Sequence, residues 1–276
     1  PTHPGSSTGH ARRARGSRRV VTGMDWYPLR FHPLYKERVW GGRLLASHFH
    51  RDLPNQVPIG ESWEITDRPE GSSVVAQGPL AGRALNELVA TDPQAFGNPP
   101  SRRFPLLVKI LDAREVLSLQ VHPPADKASQ LGGEPKTELW YFIRAEPGAE
   151  ILAGLKPAVT RQIFAHHVEN GTAADCFHRI PVSAGDAMFL PSGRVHALGA
   201  GLLLFEIQEN SDTTYRVFDW NRTGLDGKPR QLHIRESLES IRFEDVTPGL
   251  VAHPWRKSGA LEHRLLAEDP LFDAHA

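Results

Sequence analysis

Proline and glycine recur along the whole of this chain and divide it into short apolar segments. Its 276 residues include 23 Pro and 24 Gly. Proline lacks a backbone N–H and glycine favours turns, so such a sequence suits short strands joined by turns better than long helices. We therefore predict an all-β class, a sandwich or barrel with a few short helices.

Three segments have helical rather than strand spacing. They are "LNELVATDPQAFG" from Leu85, part of "TRQIFAHHVENGTAADCF" (160–177) and "HIRESLESI" (233–241). The earlier stretches "YPLRFHPLYKERVWGGRLLA" and "PIGESWEITDRPEGSSVVAQGPLAG" are interpreted as short strands separated by turns. From Phe104 to about Asp219 the chain reads as predominantly β.

Charge and cysteine content exclude some classes of protein. Lys plus Arg and Asp plus Glu are 32 each, so no net charge indicates a nucleic acid or membrane partner. No apolar run approaches the roughly 20 residues that a membrane-spanning helix needs. The single cysteine, Cys176, excludes an internal disulfide framework and favours a reducing compartment, so we predict the cytoplasm.

The stretch "VLSLQVHPPADKASQLGGEPKTELWYFI" (116–143) contains a strand with a polar and an apolar face. Side chains alternate along a strand, so Ser118, Gln120 and His122 share one face opposite leucines and a valine. If the apolar face packs against a second sheet or a helix, the polar face lines a cavity. Residues two apart are separated by about 6.6 Å, close enough for Gln120 and His122 to bind one metal ion.

Two later segments add candidate ligands. Glu138 begins the next apolar run and shares its face with Trp140 and Phe142, where a carboxylate is costly unless it is paired or binds a cation. In "GDAMFLPSGRVHAL" (185–198), an apolar strand ends in a turn at 191–193. This pattern predicts a hairpin that returns His196 to the same cavity.

Four candidate metal ligands therefore converge: Gln120, His122, Glu138 and His196. Two imidazole nitrogens and two oxygens suit Zn²⁺ with room for a water or substrate oxygen, whereas a closed structural zinc site more often uses cysteines. Ordinary alternatives exist, since Gln120 could cap a backbone group and Glu138 could pair with Lys136. His166 and His167 diverge by about 100° on a helix and are interpreted as surface residues.

Part of this pattern resembles the cupin superfamily. The run "GDAMFLPSGRVHALGA" is similar to the second conserved cupin motif, with Gly185, Pro191, Gly193 and His196 in the expected places. It departs from that motif at Ala200, where cupins often carry Asn. The resemblance implies a cupin, or jelly-roll, β-barrel.

A narrower resemblance extends over about residues 26 to 250. "LSLQVHP", "KTELWYF", "PSGRVHALGAG" and "FEIQENSDTTYRVFDWNR" together resemble type I mannose-6-phosphate isomerases of the short bacterial kind. The segments "PLRFHPLYKERVWGG" and "PIGESWEI" are similar to that family as well. The resemblance implies interconversion of mannose 6-phosphate and fructose 6-phosphate, with one Zn²⁺ per chain.

The resemblance also implies roles for individual residues. The four candidate ligands match the zinc ligands, with Gln120 the weakest because its donor is an amide oxygen. Arg216 matches an arginine taken as catalytic. Glu206 and Lys136 match positions proposed for proton transfer or substrate contact, and we prefer Glu206 as the proton carrier. Ser118 matches a position associated with the phosphate end of the substrate.

These assignments have alternatives in ordinary ion pairs. Arg216 could pair with Asp212 or Asp219, and Glu206 could pair with a nearby arginine. No glycine-rich nucleotide loop is present, so discrete cations and hydroxyls would bind the phosphate. The candidate substrate-binding residues are Ser118, Lys136 and Arg216.

Two other functions fit parts of the pattern. A non-catalytic metal-binding cupin that recognises a sugar or sugar phosphate would keep the ligands but would not need Arg216 or Glu206. An Fe²⁺ cupin oxygenase would favour a more open ligand set than one that includes Gln120. For the assembly we expect a monomer or a weak homodimer with a small-molecule sugar phosphate as partner.

Four units are predicted along the chain. Residues 1–23 contain five arginines and no acidic residue and are expected to form a disordered basic leader, with a nucleic-acid-binding arm as the alternative. Residues 24–103 are expected to form an N-terminal β-rich segment with a short helix, and 104–250 the catalytic cupin domain. By the resemblance, 251–276 begins a truncated C-terminal β-domain.

Overall fold

The computed structural model describes residues 26–54 and 56–276, and the predicted leader lies outside this range. Two antiparallel sheets dominate the described residues. The first sheet has six strands, in spatial order β1 (Leu34–Gly42), β2 (Ile59–Ile65), β5 (Leu106–Ala113), β12 (Leu202–Glu209), β7 (Glu138–Ala145) and β10 (Ala187–Leu190). The second has five, in spatial order β13 (Tyr215–Phe218), β6 (Leu119–Val121), β11 (His196–Leu198), β8 (Glu150–Leu155) and β9 (Phe177–Pro181).

The remaining elements are short. Three two-stranded ladders are formed by β3 (Asp67–Arg68) with β4 (Gly71–Ser72), β14 (Arg256–Ser258) with β15 (Leu261–His263), and β16 (Leu265–Asp269) with β17 (Phe272–His275). The α-helices are α1 (Leu44–Phe49), α2 (Leu85–Thr91), α3 (Ala125–Ala128), α4 (Arg161–Glu169) and α5 (Ile234–Ser240). Single 3₁₀ turns span Pro93–Phe96 and Ala173–Cys176. The all-β prediction with short helices is confirmed, although no ladder joins the two sheets into a closed barrel among these residues.

The main core lies between the two sheets. Trp140 and Phe142 of β7 and Ile151 and Ala153 of β8 belong to one buried cluster, and each is at most 1% exposed. Alternation along both strands brings these side chains to the inner faces of the sheets. The candidate site adjoins this core, because the ring of Trp140 lies edge-on to that of His196 with centroids 5.3 Å apart.

A second core lies behind the five-stranded sheet. Leu119 and Val121 of β6 pack in one cluster with Phe164 of α4 and Phe177 of β9. Of the two alternatives left open for the apolar face of this strand, a second sheet or a helix, the cluster contains a helix, α4. Leu117 is the exception, because it precedes β6 and joins the cluster between the sheets.

The sequence interpretation missed α1. The stretch ending in "GGRLLA" was interpreted as strands only, whereas β1 ends at Gly42 and a helix begins at Leu44. The backbone N–H of Leu44 donates to Oδ2 of Asp112, 2.6 Å away on β5. A carboxylate from another strand thus binds the free N–H at the start of the helix, and local sequence does not reveal such a cap.

The predicted hairpin before His196 was wrong in its pairing. β10 pairs with β7 in the six-stranded sheet, whereas β11 pairs with β6 and β8 in the five-stranded sheet. The turn therefore crosses from one sheet to the other. Its polar groups bind other segments, since the N–H of Gly193 donates to the carbonyl of His122 at 2.8 Å. His196 still reaches the predicted cavity.

The first and last strands of the described region both pair with or pack on the six-stranded sheet. β1 and β2 extend the sheet that contains β5, so residues assigned to an N-terminal segment share a sheet with the predicted catalytic domain. At the other end, Leu266 and Phe272 pack in a cluster with Leu139 of β7. The proposed domain boundaries stay a prediction. None of the described helices is long and apolar enough to cross a membrane.

Candidate active site

A cavity of about 520 Å³ opens between the sheets and is lined by residues from both of them. It also contacts the 224–233 loop that precedes α5. The sequence-predicted residues on its wall are Ser118, Gln120, Lys136, Glu206 and Arg216. The structure thus gathers into one cavity five predicted residues that are up to 98 positions apart in the sequence.

Three of the four predicted ligands meet directly behind Gln120 and Lys136. The Nε2 atom of His122 lies 3.4 Å from Oε2 of Glu138, and Nε2 of His196 lies 3.2 Å from Oε1 of the same carboxylate. One ligand atom of each residue lies within 4.8 Å of the others. All three residues are at most 1% exposed.

Backbone carbonyls fix the tautomer of both histidines. Nδ1 of His122 lies 2.8 Å from the carbonyl oxygen of Thr213, and Nδ1 of His196 lies 2.9 Å from that of Arg194. A carbonyl oxygen only accepts, so each Nδ1 carries the hydrogen and donates it. Each Nε2 is then left with a lone pair that points towards Glu138.

The electrostatics keep His122 and Glu138 in the protonation states that a metal requires. Burial, together with Lys136, lowers the pKa of His122 to about 3, so its ring is neutral near pH 7. Burial opposes ionisation of Glu138, but the adjacent Lys136 outweighs it and holds the pKa of that carboxyl well below its usual range. A neutral imidazole and an ionised carboxylate are ligand forms that bind a divalent cation.

The contacts around Glu138 fit a cation. Two histidine lone pairs face its carboxylate at 3.2 and 3.4 Å, and neither oxygen has a hydrogen-bond partner in the described part of the chain. Lys136 Nζ is 2.7 Å from Oε2, but off the direction of a hydrogen bond. Lone pairs facing a carboxylate repel each other unless a positive charge lies between them. The site could therefore hold a metal ion.

Gln120 stands beside this group rather than within it. Its Nε2 lies 3.4 Å from Nε2 of His196, and its Oε1 accepts a hydrogen bond from the Ser118 hydroxyl at 3.3 Å. The β6–β11 ladder places Gln120 directly opposite His196. Rotation of the amide by half a turn would direct the oxygen to the histidine side, as a fourth ligand requires.

Arg216 has no carboxylate partner within ion-pair distance among residues 26–54 and 56–276. Its Nη1 donates to the carbonyl of Gln231 at 2.9 Å, and its buried Nε has no partner in that same range. Asp219, one of the alternatives, is occupied by Arg222 and Arg230. Burial and the nearby Arg230 lower the pKa of Arg216, since its positive charge is not neutralised.

Glu206 and Lys136 belong to one buried charge network. Glu206 accepts a hydrogen bond from Nε1 of Trp140 at 2.9 Å, and its Oε1 lies 3.0 Å from Lys109 Nζ and 3.7 Å from Lys136 Nζ. Its partners are therefore lysines and a tryptophan, not the arginine of the ordinary alternative. Lys136 links the network to Glu138, so both candidates for proton transfer lie beside the ligand group.

Comparison with known proteins identifies relatives of this chain. Residues 29–157 match the family model of the phosphomannose isomerase type I catalytic domain. The probable mannose-6-phosphate isomerase GmuF of Bacillus subtilis is 43% identical over 222 residues, which are 80% of this chain and 70% of that protein. A mannose-6-phosphate isomerase of Streptococcus mutans is 39% identical, over 90% of this chain and 78% of its own length.

The chain belongs to the type I mannose-6-phosphate isomerase family. A crystal structure of the mannose 6-phosphate isomerase from Bacillus subtilis superposes with a TM-score of 0.83 at 33% identity, over 90% of this chain and 79% of that one. A phosphomannose isomerase variant from Salmonella typhimurium, at 18% identity and a TM-score of 0.69, shares the fold. The family resemblance and the isomerase class predicted from sequence are both confirmed.

Sequence reasoning missed three interacting charged residues of this isomerase's cavity, among others. Lys109 of β5 is 3% exposed, and Glu61 of β2 accepts hydrogen bonds from Arg38 at 2.8 and 3.2 Å and from Trp63 at 2.7 Å. All three missed residues, Arg38, Glu61 and Lys109, line the cavity. A signal was present, because Lys109 interrupts the apolar run "LLVKILDA", where a charge needs a buried partner.

Proposed function

We propose that this isomerase interconverts mannose 6-phosphate and fructose 6-phosphate with one Zn²⁺ per chain. The observation that supports this proposal most is the meeting of two Nε2 lone pairs and one ionised carboxylate beside a cavity lined by cations. Relatives named mannose-6-phosphate isomerases provide the substrate class. The proposed ligands are His122, Glu138 and His196, with Gln120 as a weaker fourth.

The donor set favours zinc over other divalent ions. Two imidazole nitrogens and one carboxylate are a common catalytic zinc set, and they leave a coordination position for a water or substrate oxygen. An all-oxygen set would suit Mg²⁺ or Ca²⁺ better. With one carboxylate, a divalent ion would keep a formal charge of about +1, which favours an anionic reaction intermediate.

Aldose–ketose isomerisation moves one proton between C1 and C2 and another between O1 and O2. The C–H bond becomes acidic only when the neighbouring carbonyl is polarised. When bound, the metal supplies a Lewis acid that polarises this carbonyl and stabilises negative charge on oxygen. We propose an enediolate intermediate, and the protein must provide a group that removes and returns the carbon-bound proton.

Glu206 is our proposed proton carrier, with Lys136 as its rival. Glu206 lines the cavity, is not one of the proposed ligands, and lies 3.7 Å from Lys136. Lys136 Nζ is 2.7 Å from Glu138 and 3.4 Å from His122, so an ammonium there also stabilises negative charge beside the ligand group. Because the two contact each other, removal of either should alter the other.

Arg216 and Ser118 are proposed to bind the substrate. The guanidinium of Arg216, which has no carboxylate partner in the part of the chain that the structure describes, can stabilise the enediolate or bind the phosphate through two parallel hydrogen bonds. Ser118 offers a hydroxyl on the same wall. Phosphate binding far from the reacting carbons provides energy that orients the reacting end of the sugar.

The cytoplasmic location and the monomer or weak homodimer remain proposals. The location is supported by Cys176, which is a free, buried thiol. A thiol of this kind suits a reducing compartment.

A coupled assay with mannose 6-phosphate and metal analysis test the function together. We expect one equivalent of zinc, loss of turnover on chelation, and recovery when zinc is returned. His122→Ala and His196→Ala should each lose zinc and turnover together, because each removes one Nε2 donor. His166→Ala, at an exposed position of α4, is the control and should change neither.

Two outcomes would contradict the proposal. Zinc retained at one equivalent in both His→Ala variants would show that these residues are not ligands. A zinc-loaded protein that turns over no phosphorylated sugar would refute the isomerase proposal and favour a binding function.

A further inference from the structure

The turn between β10 and β11 carries the residue that orients His196. The carbonyl oxygen of Arg194 lies 2.9 Å from Nδ1 of His196 and accepts its hydrogen. The direction of this carbonyl therefore determines both the tautomer and the tilt of the ring. Because His196 is the first residue of β11, its position depends on the preceding turn.

The side chain of Arg194 is fixed by three contacts of its own. Its Nε lies 2.6 Å from Oδ2 of Asp245 and its Nη2 lies 2.7 Å from Oδ1, which is a two-point ion pair. Its Nη1 donates to the carbonyl of Phe189, at 3.0 Å, on β10. The side chains of Arg194 and Asp245 are only 15% and 19% exposed, so solvent competes weakly for this pair.

The same turn also reaches the second histidine. The N–H of Gly193 donates to the carbonyl of His122 at 2.8 Å, and the carbonyl of Gly193 accepts from the N–H of Arg242 at 3.0 Å. Gly193 has φ +89°, and a Cβ there would lie 2.8 Å from Cγ of Arg242. The segment after α5 is therefore packed closely against the turn that contacts both histidines.

We propose that the Arg194–Asp245 pair is a positioning device for the metal site. It ties the turn to the segment after α5 and so keeps the Arg194 carbonyl aimed at His196. The inference rests on the proposed function, because it assumes that His196 binds the metal. Neither residue touches the ligand atoms, so both act through the ring of His196.

A similar ion pair elsewhere in the protein serves as a control that distinguishes a positioning role from a general effect on stability. Arg51 and Glu64 also form a two-point pair, at 2.6 and 3.0 Å, with both side chains 22% exposed. Neither of them lines the candidate active-site cavity. Arg51→Met therefore removes a similar interaction without a connection to His196.

The test measures the affinity of the purified, metal-free protein for Zn²⁺ by competition with a coloured chelator. We expect Arg194→Met to weaken Zn²⁺ binding about 10-fold, the lower end of the effect of residues that orient a ligand. Arg194→Lys keeps one ion-pair contact and should recover part of this loss. Arg51→Met should bind Zn²⁺ within about 2-fold of the unmodified protein.

A spectrum provides a reading that stability alone would not change. Co²⁺ absorbs visible light according to the geometry of its ligands, so the Co²⁺ form of Arg194→Met should show altered band intensities. The Co²⁺ form of Arg51→Met should not. If Arg194→Met does not fold, Asp245→Asn keeps one side-chain oxygen and is measured in its place, with a smaller change in the same direction expected.

The outcomes separate this inference from the function on which it rests. If His196→Ala binds Zn²⁺ as tightly as the unmodified protein does, the proposed ligand set fails, and the inference fails with it. If His196→Ala loses Zn²⁺ but Arg194→Met keeps the affinity and the spectrum of the unmodified protein, only the positioning role is overturned.

Discussion

Each histidine of the candidate site meets a backbone carbonyl, and that carbonyl decides which ring nitrogen remains for a ligand. For His122 the carbonyl belongs to Thr213, which lies 91 positions away in the sequence. For His196 it belongs to Arg194, within the turn before β11. The second contact is local, but its direction depends on Asp245, so the ring orientation is set by the assembled fold.

Arg216 leads to a prediction in which activity and stability respond differently. Arg216→Met removes a half-buried cation that has no carboxylate partner among the described residues, so the free energy of unfolding should change by less than about 1 kcal/mol. Turnover should fall about 100-fold or more, since a fixed charge beside the reacting atoms is lost. A coupled assay and urea unfolding measure the two effects, with Arg216→Lys as the charge-preserving control.

Unfolding of Arg216→Met, or a loss of several kcal/mol, would contradict this view. It would assign to Arg216 the structural role that the sequence left open. Equal turnover in Arg216→Met and the unmodified protein would remove Arg216 from the active site.

The sequence predicted which residues share the cavity better than how they contact one another. Alternation along one strand placed Ser118, Gln120 and His122 on one side, and all three lie at the site. It could not place the Gln120 amide, whose nitrogen rather than oxygen faces His196. Such contacts depend on distances between strands, and a one-dimensional pattern does not contain them.

At the scale of secondary structure elements, α4 shows why some helices were predictable. Thr160 precedes it, and its hydroxyl accepts a hydrogen bond from the N–H of Ile163, which is a local capping signal. Helix α1 has no side-chain cap from its own N-cap residue, Arg43, and depends on Asp112 of a distant strand. Local signals were therefore sufficient for α4 and insufficient for α1.

Helix α4 also yields a stability prediction with an internal control. Phe164 is fully buried against Phe177 and Phe243, so Phe164→Ala should lower the free energy of unfolding by about 3–5 kcal/mol. Ile163, the preceding residue, is 44% exposed, and Ile163→Ala should cost less than about 1 kcal/mol. Urea unfolding measures both.

Zinc content tests whether this effect is confined to the packing of the helix. Phe164 packs on the side of the five-stranded sheet away from the core between the sheets. The folded Phe164→Ala protein should therefore still bind one zinc. Equal stability of the two variants would mean that α4 does not contribute to the core as described.

At the scale of the whole molecule, a charge network crosses the six-stranded sheet beneath the cavity. Glu61 of β2 interacts with Lys109 of β5, and Lys109 lies 3.0 Å from Glu206 of β12. Burial opposes the positive charge of Lys109, but the carboxylates of Glu206 and Glu61 outweigh this effect and raise the pKa of Lys109. Three neighbouring strands thus contribute alternating charges to one buried row.

This network predicts how stability depends on pH. Burial opposes ionisation of Glu61, but Lys109 and Arg38 outweigh it and lower its pKa from 4.5 to about 2. The unfolded chain then binds a proton more readily, so the stabilisation is present above about pH 4.5 and is lost as the pH falls towards 2. This difference in pKa corresponds to roughly 3 kcal/mol in the free energy of unfolding. Glu61→Gln should therefore reduce the loss of stability at low pH by up to that amount.

Urea unfolding at pH 7 and pH 3 measures this difference. At pH 7 the Glu61→Gln protein should be less stable, because Arg38 and Lys109 lose a carboxylate. Glu87→Gln, at an exposed position of α2, controls for the loss of one negative charge. An unchanged acid-dependent loss in Glu61→Gln would contradict the contribution assigned to Glu61.

The order of strands has a consequence for synthesis of the protein on the ribosome. β12 lies between β5 and β7 at the centre of the six-stranded sheet, yet it is synthesised after both of them and after β10. Until Glu209 has left the exit tunnel, the nascent chain can assemble β1–β2–β5 and β7–β10 only as two half-sheets with exposed edges. Such edges pair readily with other chains, so the interval before β12 emerges is when a newly made molecule most needs a chaperone.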